Sequence, residues 1–381
     1  MLINRIISKS IKEELQKERS KIIIIYGARQ VGKTTLVNEV LKDFSDQKLL
    51  YVTGDNVSTT KPLSSRDFKI LEEFVFGYNI LFIDEAQRIL EIGINLKLLY
   101  DHIPSLKIIV TGSSSLDLAS SVKEPLTGRN WSYKLYPISF LELSQIKNPF
   151  ELKNDLDERL VFGGYPNVLN IKNRDERVKY INELADNYLY KDILEIENIK
   201  YHTKLRDLLR LLAFQIGSEV SIQELANNLQ LNQDTIARYI DLLEKSFVIF
   251  TLGGFSRNLR KEINKKSKIY FYDLGIRNAI VGNFNYLDER NDIGALWENF
   301  LIIERMKRNE YNGHYCNQYF WRTYTGAELD YVEEYGGQLH GYEFKWNKIS
   351  KAPQSWVETY KAEKASFECF NKDNFLKFIC E

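Results

Sequence analysis

The fold of this chain is decided by residues 21–36, which read KIIIIYGARQVGKTTL. The unbroken apolar and aromatic run from Ile22 to Tyr26 predicts a fully buried strand. Glycines at positions 27 and 32 mark a turn, and the continuation KTTLVNEVLKDF has the pattern of a helix. A buried strand, a glycine turn and a helix in this order predict an α/β domain built on a parallel sheet.

The same alternation continues outward from this stretch. Further apolar runs of strand length are KLLYVTG at 48–54, NILFIDEA at 79–86 and KIIVTGS at 107–113, with a helical segment near 94–103 before the last. Strands that are apolar on both faces are typical of a parallel sheet covered by helices on both sides. We therefore expect the α/β domain to extend over residues 1–150.

Length and composition bound the rest of the chain. With 381 residues and a mass of 44.7 kDa, the chain exceeds the size of one hydrophobic core, so two to three domains are expected. Apolar residues make up 44% and charged residues 27%, which excludes disordered, collagen-like and mucin-like proteins. The 52 basic residues balance the 52 acidic ones, so any binding to nucleic acid must come from a local patch.

Cysteine usage and apolar runs exclude further classes. Cys316, Cys369 and Cys380 are far apart and have neither CxxC spacing nor a histidine cluster, so disulfide frameworks and zinc sites are not expected. The runs are too short to span a bilayer, and Arg5 and Lys9 interrupt any signal-peptide core. The sequence predicts a cytoplasmic protein with no membrane partner.

The turn after the first strand carries the pattern GxxxxGK[ST] in the strand–turn–helix context that the pattern requires. In such a loop the glycines let backbone N–H groups face the phosphates of ATP, the lysine reaches the β and γ oxygens, and the threonine hydroxyl holds Mg²⁺. The alternative is a glycine turn that matches by chance. The predicted ATP-binding residues are Gly27, Ala28, Arg29, Gln30, Val31, Gly32, Lys33, Thr34 and Thr35. We expect Lys33 to be exposed and to support little of the core.

Two later strands end in polar residues at the same predicted sheet edge. Asp84 would complete the Mg²⁺ shell with Thr34, and Glu85 would orient and polarise the attacking water, which indicates hydrolysis. Ser113 and Ser114 follow the strand IIVTGS and could touch the γ-phosphate or the water. The alternatives are solvated acids at a strand end and an ordinary Gly/Ser turn.

These motifs, with LTGR at 126–129 followed by YPISFLEL, resemble prokaryotic AAA-type ATPases of a family that joins this module to a C-terminal restriction-endonuclease-like domain. The later segments GGYP, YLYKDI, GAELD and EFKW are also similar to that family, so the resemblance covers nearly the whole chain. It implies that Ser113 or Ser114 senses the γ-phosphate. It also implies that Arg129 stabilises charge there, either in its own chain or across a subunit boundary, with a surface salt bridge as the alternative.

The middle of the chain changes from α/β alternation to helices. The division expected is a P-loop ATPase domain at 1–150, a helical linker or lid at 151–205, a winged helix at 206–285 and a restriction-endonuclease-like α/β domain at 286–381. Within the winged helix, Ser221 caps a short helix with Glu224 at its third position. A second helix follows a turn and would present Gln233, Thr235 and Arg238 to a DNA groove.

A basic segment follows the helix-turn-helix pattern. Between positions 257 and 268 six basic residues face one acid, Glu262, for a net charge of +5. We expect this segment to be a wing that contacts DNA phosphates, with a protein-contact module as the equally weighted alternative. The six residues are Arg257, Arg260, Lys261, Lys265, Lys266 and Lys268.

The last ninety residues contain acids and a lysine arranged as in a metal-dependent nuclease. Glu298 lies on a predicted helix, Asp330 on one strand, and Glu343 and Lys345 on the next, where a period of two puts both on one face and Phe344 in the core. The three carboxylates would hold a second Mg²⁺ or Mn²⁺, and Lys345 would position or deprotonate water. Resemblance to the PD-(D/E)xK pattern supports this, although Leu329 replaces the expected proline.

Taken together, the sequence predicts an ATP-hydrolysing switch or motor that acts on DNA through a winged helix and a nuclease-like domain. The alternative is a nucleotide-gated scaffold in which a degenerate, non-cleaving nuclease fold binds a protein partner. A homo-oligomer is compatible with both.

Overall fold

The computed structural model describes residues 3–113, 126–186, 202–256, 267–361 and 365–381. It divides into two compact units, each described by itself. The N-terminal unit runs to Tyr136 and includes Lys245–Phe247, and the C-terminal unit comprises Pro137–Glu244 and Val248–Glu381. Within the described ranges every helix is too short or too polar to cross a lipid bilayer.

The N-terminal unit alternates strands and helices as the sequence predicts. Its helices are α1 Ser8–Leu15, α2 Lys33–Leu41, α3 Val57–Leu63, α4 Phe68–Val75 and α5 Ile92–His102. Its strands are β1 Ile22–Tyr26, β2 Leu49–Thr53, β3 Ile80–Asp84, β4 Lys107–Gly112 and β5 Asn130–Lys134. Short 3₁₀ turns occupy Lys42–Phe44 and Ala86–Arg88.

The five strands form one parallel sheet in the order β2-β3-β4-β1-β5. Every residue of β1 and β3 is buried, which is why both appear in the sequence as unbroken apolar runs. The parallel α/β fold and the four predicted strands are confirmed. The glycine turn lies at the carboxyl end of β1, an inner strand between β4 and β5.

The C-terminal unit contains twelve helices and seven strands in its described part. Its helices are α6 Phe140–Leu143, α7 Pro149–Asn154, α8 Leu156–Phe162, α9 Pro166–Asn170, α10 Arg174–Ala185, α11 His202–Phe214, α12 Ile222–Leu229, α13 Gln233–Lys245, α14 Leu274–Val281, α15 Ile293–Tyr311, α16 Gln354–Thr359 and α17 Phe375–Cys380. Its strands are β6 Glu219–Val220, β7 Ile249–Gly254, β8 Ser267–Phe271, β9 Asn317–Arg322, β10 Glu328–Tyr335, β11 Gln338–Phe344 and β12 Ser366–Phe370, with a 3₁₀ turn at Leu287–Glu289.

These seven strands form one mixed sheet in the order β12-β11-β10-β9-β7-β8-β6. The parallel pair β7–β9 joins the strands of the helix-turn-helix segment to those of the nuclease-like segment. Strands β10 and β11 pair antiparallel as a hairpin, and Gly336 and Gly337 in its turn both take positive φ. The predicted nuclease-like and helix-turn-helix segments therefore share one sheet.

The helix-turn-helix segment is built as the capping pattern predicts. The Ser221 side chain accepts a hydrogen bond from Glu224 N at 3.4 Å and starts α12, and Gln230 ends it in the left-handed region. Asn232 then caps α13 by accepting from Thr235 N at 2.7 Å. Strands β7 and β8 follow as an antiparallel pair, and β6 pairs with β8 on its other side.

The GGYP segment lies against a buried set of charged side chains. Asp273 Oδ2 accepts a hydrogen bond from Gly164 N at 2.6 Å, and Arg159 donates to the carbonyl of Gly163 at 3.1 Å. A Cβ atom at Gly163, where φ is +72°, would lie 2.0 Å from Asp273 Oδ1. Burial raises the pKa of Asp273, while the bond from Gly164 N acts in the opposite direction. Only glycine fits at Gly163, for reasons of both conformation and space.

The Gly163→Ala variant is expected to lower the free energy of unfolding by about 2–5 kcal/mol, because Gly163, with a φ of +72° and a ψ of −156°, lies in a backbone region essentially restricted to glycine and overpacking adds to that strain. Gly282→Ala is the control, since Gly282 lies in the milder left-handed helical region, with a φ of +70° and a ψ of +30°, and has no atom within 4 Å of its Cβ position. The control should lose only the strain, about 1–2 kcal/mol. Urea unfolding of both variants measures the difference, and equal midpoints would show that neither the contact with Asp273 nor the glycine-only backbone region adds to the cost.

Candidate functional site

The loop between β1 and α2 has a backbone that only certain residues adopt. Gly32 caps α2 with a φ of +96°, and Gln30 also lies in the left-handed region with a φ of +60°. A Cβ at Gly27 would lie 2.2 Å from the carbonyl oxygen of Leu135, so the loop begins where two backbones pass closely. The glycines at 27 and 32 thus shape a loop at the N-terminus of α2, where the helix dipole favours an anion.

Lys33 is buried, with 5% of its surface exposed, so the expectation of an exposed lysine is wrong. Its ammonium group donates hydrogen bonds to the carbonyl oxygens of Gly27 at 2.8 Å and Ala28 at 3.0 Å. The side chain folds back into its own loop, where backbone carbonyls take the place of solvent around the charge. Lys33 therefore orders the loop as well as carrying a positive charge into it.

Asp84 connects the start of α2 with the ends of β3 and β4. Its Oδ2 accepts a hydrogen bond from Thr34 Oγ1 at 2.8 Å, and its Oδ1 accepts one from the hydroxyl of buried Thr111. The Tyr51 hydroxyl lies 3.5 Å from Oδ2, and burial together with the Asp84 charge raises the pKa of that phenol. The hydroxyl of Thr34 and the carboxylate of Asp84 thus meet, as the motif predicts.

Glu85 stands directly after β3 in a strained conformation, with a φ of +51°. A Cβ at Gly54 would lie 2.2 Å from the Glu85 carbonyl oxygen, so only glycine on the neighbouring strand end leaves room for this turn. The Gln87 amide donates to Glu85 Oε2 at 2.5 Å and to Ser113 Oγ at 2.9 Å. One side chain therefore bridges the predicted water-activating acid and the predicted sensor serine.

A second polar cluster lies in the C-terminal unit, where the structure brings together the residues predicted there. Lys345 Nζ contacts Glu343 Oε1 at 2.5 Å, so the two share a face as expected. Asp330 lies on the adjacent strand and accepts a hydrogen bond from Phe344 N at 2.7 Å. Burial, followed by the charges of Glu298 and Glu343, raises the pKa of Asp330 well above its ordinary value. Phe344 is buried as predicted, and its ring contacts Phe378 of α17 at a centroid distance of 5.4 Å.

Lys268 also belongs to this cluster, which corrects its assignment to a solvent-facing wing. Only 3% of its surface is exposed, and its ammonium contacts Glu328 Oε1 at 2.7 Å and Glu298 Oε1 at 3.1 Å. Burial acts against its charge, but the carboxylates of Glu298, Asp330 and Glu328 outweigh burial and raise its pKa. Lys268 is therefore not available to a DNA phosphate. The other five residues of the predicted wing lie outside the described residues.

Comparisons with known proteins match three successive segments of the chain. Residues 19–144 match a family described as an AAA domain. The chain carries an AAA-type P-loop fold in its N-terminal unit. Residues 153–286 and 293–372 match two families described as domains of unknown function, DUF8612 and DUF4143. The winged-helix and nuclease-like assignments of these two segments thus stay predictions.

The relatives resemble the chain over most of its length. An uncharacterized protein of Mycobacterium tuberculosis is 28% identical over 330 residues, which cover 86% of this chain and 70% of the relative. An uncharacterized protein of Methanocaldococcus jannaschii is 26% identical over 322 residues, covering 77% of this chain and 68% of the relative. Among solved structures, a point variant of Thermotoga maritima RuvB has 17% identity and a TM-score of 0.34, over 67% of this chain and 89% of that one.

Arg129 lies at the opposite edge of the AAA-type sheet from the phosphate loop. Its carbonyl accepts a hydrogen bond from Ile22 N, at the start of β1, whereas the loop begins after Tyr26 at the end of that strand. Five strand residues span about 16 Å, further than an arginine side chain reaches. The guanidinium instead forms a bidentate pair with Asp101 at 2.8 and 3.1 Å, which lowers the pKa of Asp101. Arg129 therefore does not reach the phosphate site of its own chain.

The other predicted residues of the AAA-type site differ in how far they are exposed to solvent. Ala28 and Val31 are buried, Arg29 is half-buried, and Gln30 and Thr35 are exposed. Ser114 lies outside the described residues. Sequence reasoning missed Gln87, although it directly follows the quoted segment NILFIDEA, because no residue pattern marks a glutamine that folds back two positions.

One cysteine of the C-terminal unit has a histidine and a carboxylate beside it. His314, Cys316 and Glu333 are the only three His, Cys, Asp or Glu side chains in the described ranges whose ligand atoms all lie within 4.8 Å of one another. Glu333 is already held by Arg305, at 2.9 and 2.7 Å, and by Asn309 at 2.5 Å. This carboxylate is therefore neutralised by a guanidinium, and we assign no metal to the group.

Proposed function

We propose that the AAA-type unit binds ATP with Mg²⁺ and hydrolyses the bond between its β- and γ-phosphates. The observation that carries this proposal is the 2.8 Å hydrogen bond between Thr34 Oγ1 and Asp84 Oδ2, which joins the phosphate loop to the acidic strand end beside Glu85. A hydroxyl at a helix N-terminus and a carboxylate at the end of another strand of the same sheet are the two protein groups that this chemistry requires around the metal. The match of residues 19–144 to the AAA domain family supports it.

The oxygen atoms of Thr34 and Asp84 fit Mg²⁺, a hard cation that prefers such ligands and keeps several waters. When bound, the ion neutralises charge on the β and γ phosphates. The loop N–H groups and the Lys33 ammonium bind the phosphates, and the Glu85 carboxylate accepts a proton from the attacking water. Ser113 Oγ, held beside Glu85 through Gln87, orients that water or the γ-phosphate.

The direct test is release of inorganic phosphate from ATP by the full chain in Mg²⁺, compared with the same protein in excess EDTA. Turnover that depends on Mg²⁺ supports the proposal. An ATP affinity below detection would remove it, whereas tight binding without turnover would leave a nucleotide-binding switch.

Gln87 is proposed to position Glu85, and the Gln87→Ala variant is expected to lower kcat about 10- to 100-fold while KM for ATP changes little. The amide holds the Glu85 carboxylate through one bond and Ser113 through another, and neither bond contributes to the phosphate loop. Steady-state kinetics separates the two parameters. Gln16→Ala, at an exposed glutamine of the same unit, is the control. A rise in KM at unchanged kcat would show that Gln87 serves nucleotide binding instead.

We further propose that Arg129 acts on the nucleotide of a neighbouring copy in a homo-oligomer. In its own chain the arginine lies about 16 Å along the strands from the loop, so only a second copy could bring it to a γ-phosphate. The pair with Asp101 is the competing interpretation, because an exposed ion pair is stable without any partner. Mixing Arg129→Ala chains with Lys33→Ala chains separates the two interpretations. If Arg129 acts on a neighbouring copy, ATP turnover returns in the mixture, since each inactive chain supplies what the other lacks. If Arg129 only pairs with Asp101, mixing restores no turnover.

DNA is the partner proposed for the helix-turn-helix segment. Its order of α11, β6, α12, α13, β7 and β8 is that of a winged helix, and Gln233 and Arg238 are exposed on α13. The basic residues between β7 and β8 add the positive charge that phosphate contacts need.

Replacing Arg257, Arg260 and Lys261 with glutamine is expected to weaken DNA binding uniformly across sequences. Each lost phosphate contact flattens the slope of log affinity against log salt by about 0.9, so three contacts remove about 2.7. Fluorescence anisotropy of labelled duplexes at several salt concentrations gives the slope. The control replaces Lys9, Lys69 and Lys97, three exposed lysines of the AAA-type unit, with glutamine. An unchanged slope in the first variant would assign the segment to a protein interface or a solvated surface.

For the nuclease-like segment we infer a cation site formed by Glu298, Asp330 and Glu343, with Lys345 beside it. The raised pKa of Asp330 and the fully buried Glu343 Oε2, which has no hydrogen-bond partner among the described residues, are what a missing positive charge would explain. Its test is uptake of Mn²⁺ by the full chain, with Asp330→Asn as the variant that removes the site. Cleavage of plasmid DNA in Mn²⁺ separates a nuclease from the alternative, a non-cleaving docking module.

A further inference from the structure

The acidic cluster of the C-terminal unit contains a cation that comes from outside the nuclease-like segment. Lys268 lies on β8, which precedes that segment, and its side chain is 4% exposed. Its ammonium contacts Glu298 Oε1 at 3.1 Å, and the Tyr270 hydroxyl donates to the same oxygen at 2.5 Å. Two donors from one strand thus occupy one oxygen of Glu298.

The remaining carboxylates do not by themselves form a closed cation site. Among the described residues, Glu298, Asp330 and Glu343 are not a group whose ligand atoms all lie within 4.8 Å of one another. Asp330 accepts from Phe344 N, and Glu343 Oε1 pairs with Lys345. Glu328, at the start of β10, is the second partner of Lys268. The ammonium of Lys268 therefore stands between two of the carboxylates.

The charges around this ammonium are unbalanced. Four carboxylates, Glu298, Glu328, Asp330 and Glu343, surround two ammonium groups, Lys268 and Lys345, which leaves two negative charges if all are ionised. Burial makes each uncompensated carboxylate costly. A divalent cation would balance this excess, but with Lys268 in place it would meet a second positive charge at close range.

We propose that Lys268 is an internal counter-ion which takes the position of a divalent cation at Glu298, so that the cluster binds such a cation weakly while Lys268 is in place and more tightly when Lys268 is withdrawn. The inference rests on the cation site proposed above for Glu298, Asp330 and Glu343. It adds the residue that sets the affinity of that site. It also accounts for the burial of the lysine that ends the basic segment 257–268.

The test is uptake of Mn²⁺ without nucleotide, measured from the free-ion EPR signal. The Lys268→Met variant is expected to bind Mn²⁺ about tenfold or more tightly than the wild type, because it removes the competing charge and keeps the length of the side chain. Lys268→Arg keeps the charge and should behave as the wild type does. Lys377→Met is the matched control, since Lys377 forms a 2.7 Å pair with Glu368 on the exposed surface. Adding Asp330→Asn to Lys268→Met should remove the gain.

The remaining outcomes distinguish failure of the proposed cation site from failure of the proposed role of Lys268. Equal Mn²⁺ affinity in wild type and Lys268→Met, lost in Asp330→Asn, would keep the cation site and overturn the role of Lys268. No uptake attributable to Asp330 in any variant would remove the cation site and the inference with it. If Lys268→Met does not fold, Lys268→Met/Glu328→Gln restores the charge balance, and the same comparison applies to that pair of changes.

Discussion

The Glu85→Gln variant is expected to bind ATP as the wild type does and to release phosphate about 10²- to 10⁴-fold more slowly. The carboxamide keeps the size of the side chain but accepts a proton from water far less well than the carboxylate. Glutamine tolerates this backbone position, because Gln30 and Gln230 adopt similar positive φ angles in the same chain. Loss of turnover would therefore reflect the chemistry of the side chain and not a change in the turn.

Calorimetry measures the affinity of the variant for ATP, and a phosphate-release assay measures its turnover. Glu91→Gln is a close control, since Glu91 also takes a positive φ of 54° near the same loop and pairs with exposed Arg66. It should leave turnover unchanged. Equal turnover by Glu85→Gln and wild type would mean that another group activates the water.

The Lys33→Ala variant is expected to weaken ATP binding roughly 10- to 150-fold, which corresponds to the loss of about 1.5–3 kcal/mol of charge-assisted hydrogen bonding. The ammonium lies inside the loop, bonded to the carbonyls of Gly27 and Ala28, so it needs only a small movement to meet phosphate oxygens. Because Lys33 is buried, a modest loss of stability is also expected.

The thermal unfolding midpoint of Lys33→Ala shows whether the variant is folded when its ATP affinity is compared with that of the wild type. Lys42→Ala provides the control, because Lys42 follows the same helix and its ammonium pairs with Glu39 at the surface. An ATP affinity like that of the wild type would contradict the assignment of the phosphate loop.

The parallel sheet of the AAA-type unit could be predicted because its buried strands are unbroken apolar runs. The edge strand β5 could not, since its sequence NWSYK has three exposed residues and no apolar run. Strand β5 pairs with β1 through backbone hydrogen bonds, which do not depend on an alternation of apolar and polar side chains. The periodicity of the sequence after LTGR therefore does not reveal this strand.

The candidate sites show the same limit at the level of single residues. Sequence spacing correctly places Thr34 near Asp84, and Glu343 beside Lys345, because both follow from strand and loop geometry. It fails for Lys268, since nothing in a run of basic residues shows that one of its lysines is buried. The carboxylates that hold this lysine, Glu298 and Glu328, lie 30 and 60 positions away in the sequence. It also fails for Arg129, whose position depends on which end of β5 it adjoins.

The central claim is that the AAA-type unit turns over ATP at the Thr34–Asp84–Glu85 site. Phosphate release by wild type and by Glu85→Gln, measured in one preparation series with saturating ATP and Mg²⁺, tests it most directly. We predict Mg²⁺-dependent release by the wild type, and a variant that retains bound ATP while its release falls by at least about 10². Release that is absent from the wild type, or that persists undiminished in the variant, would contradict the claim.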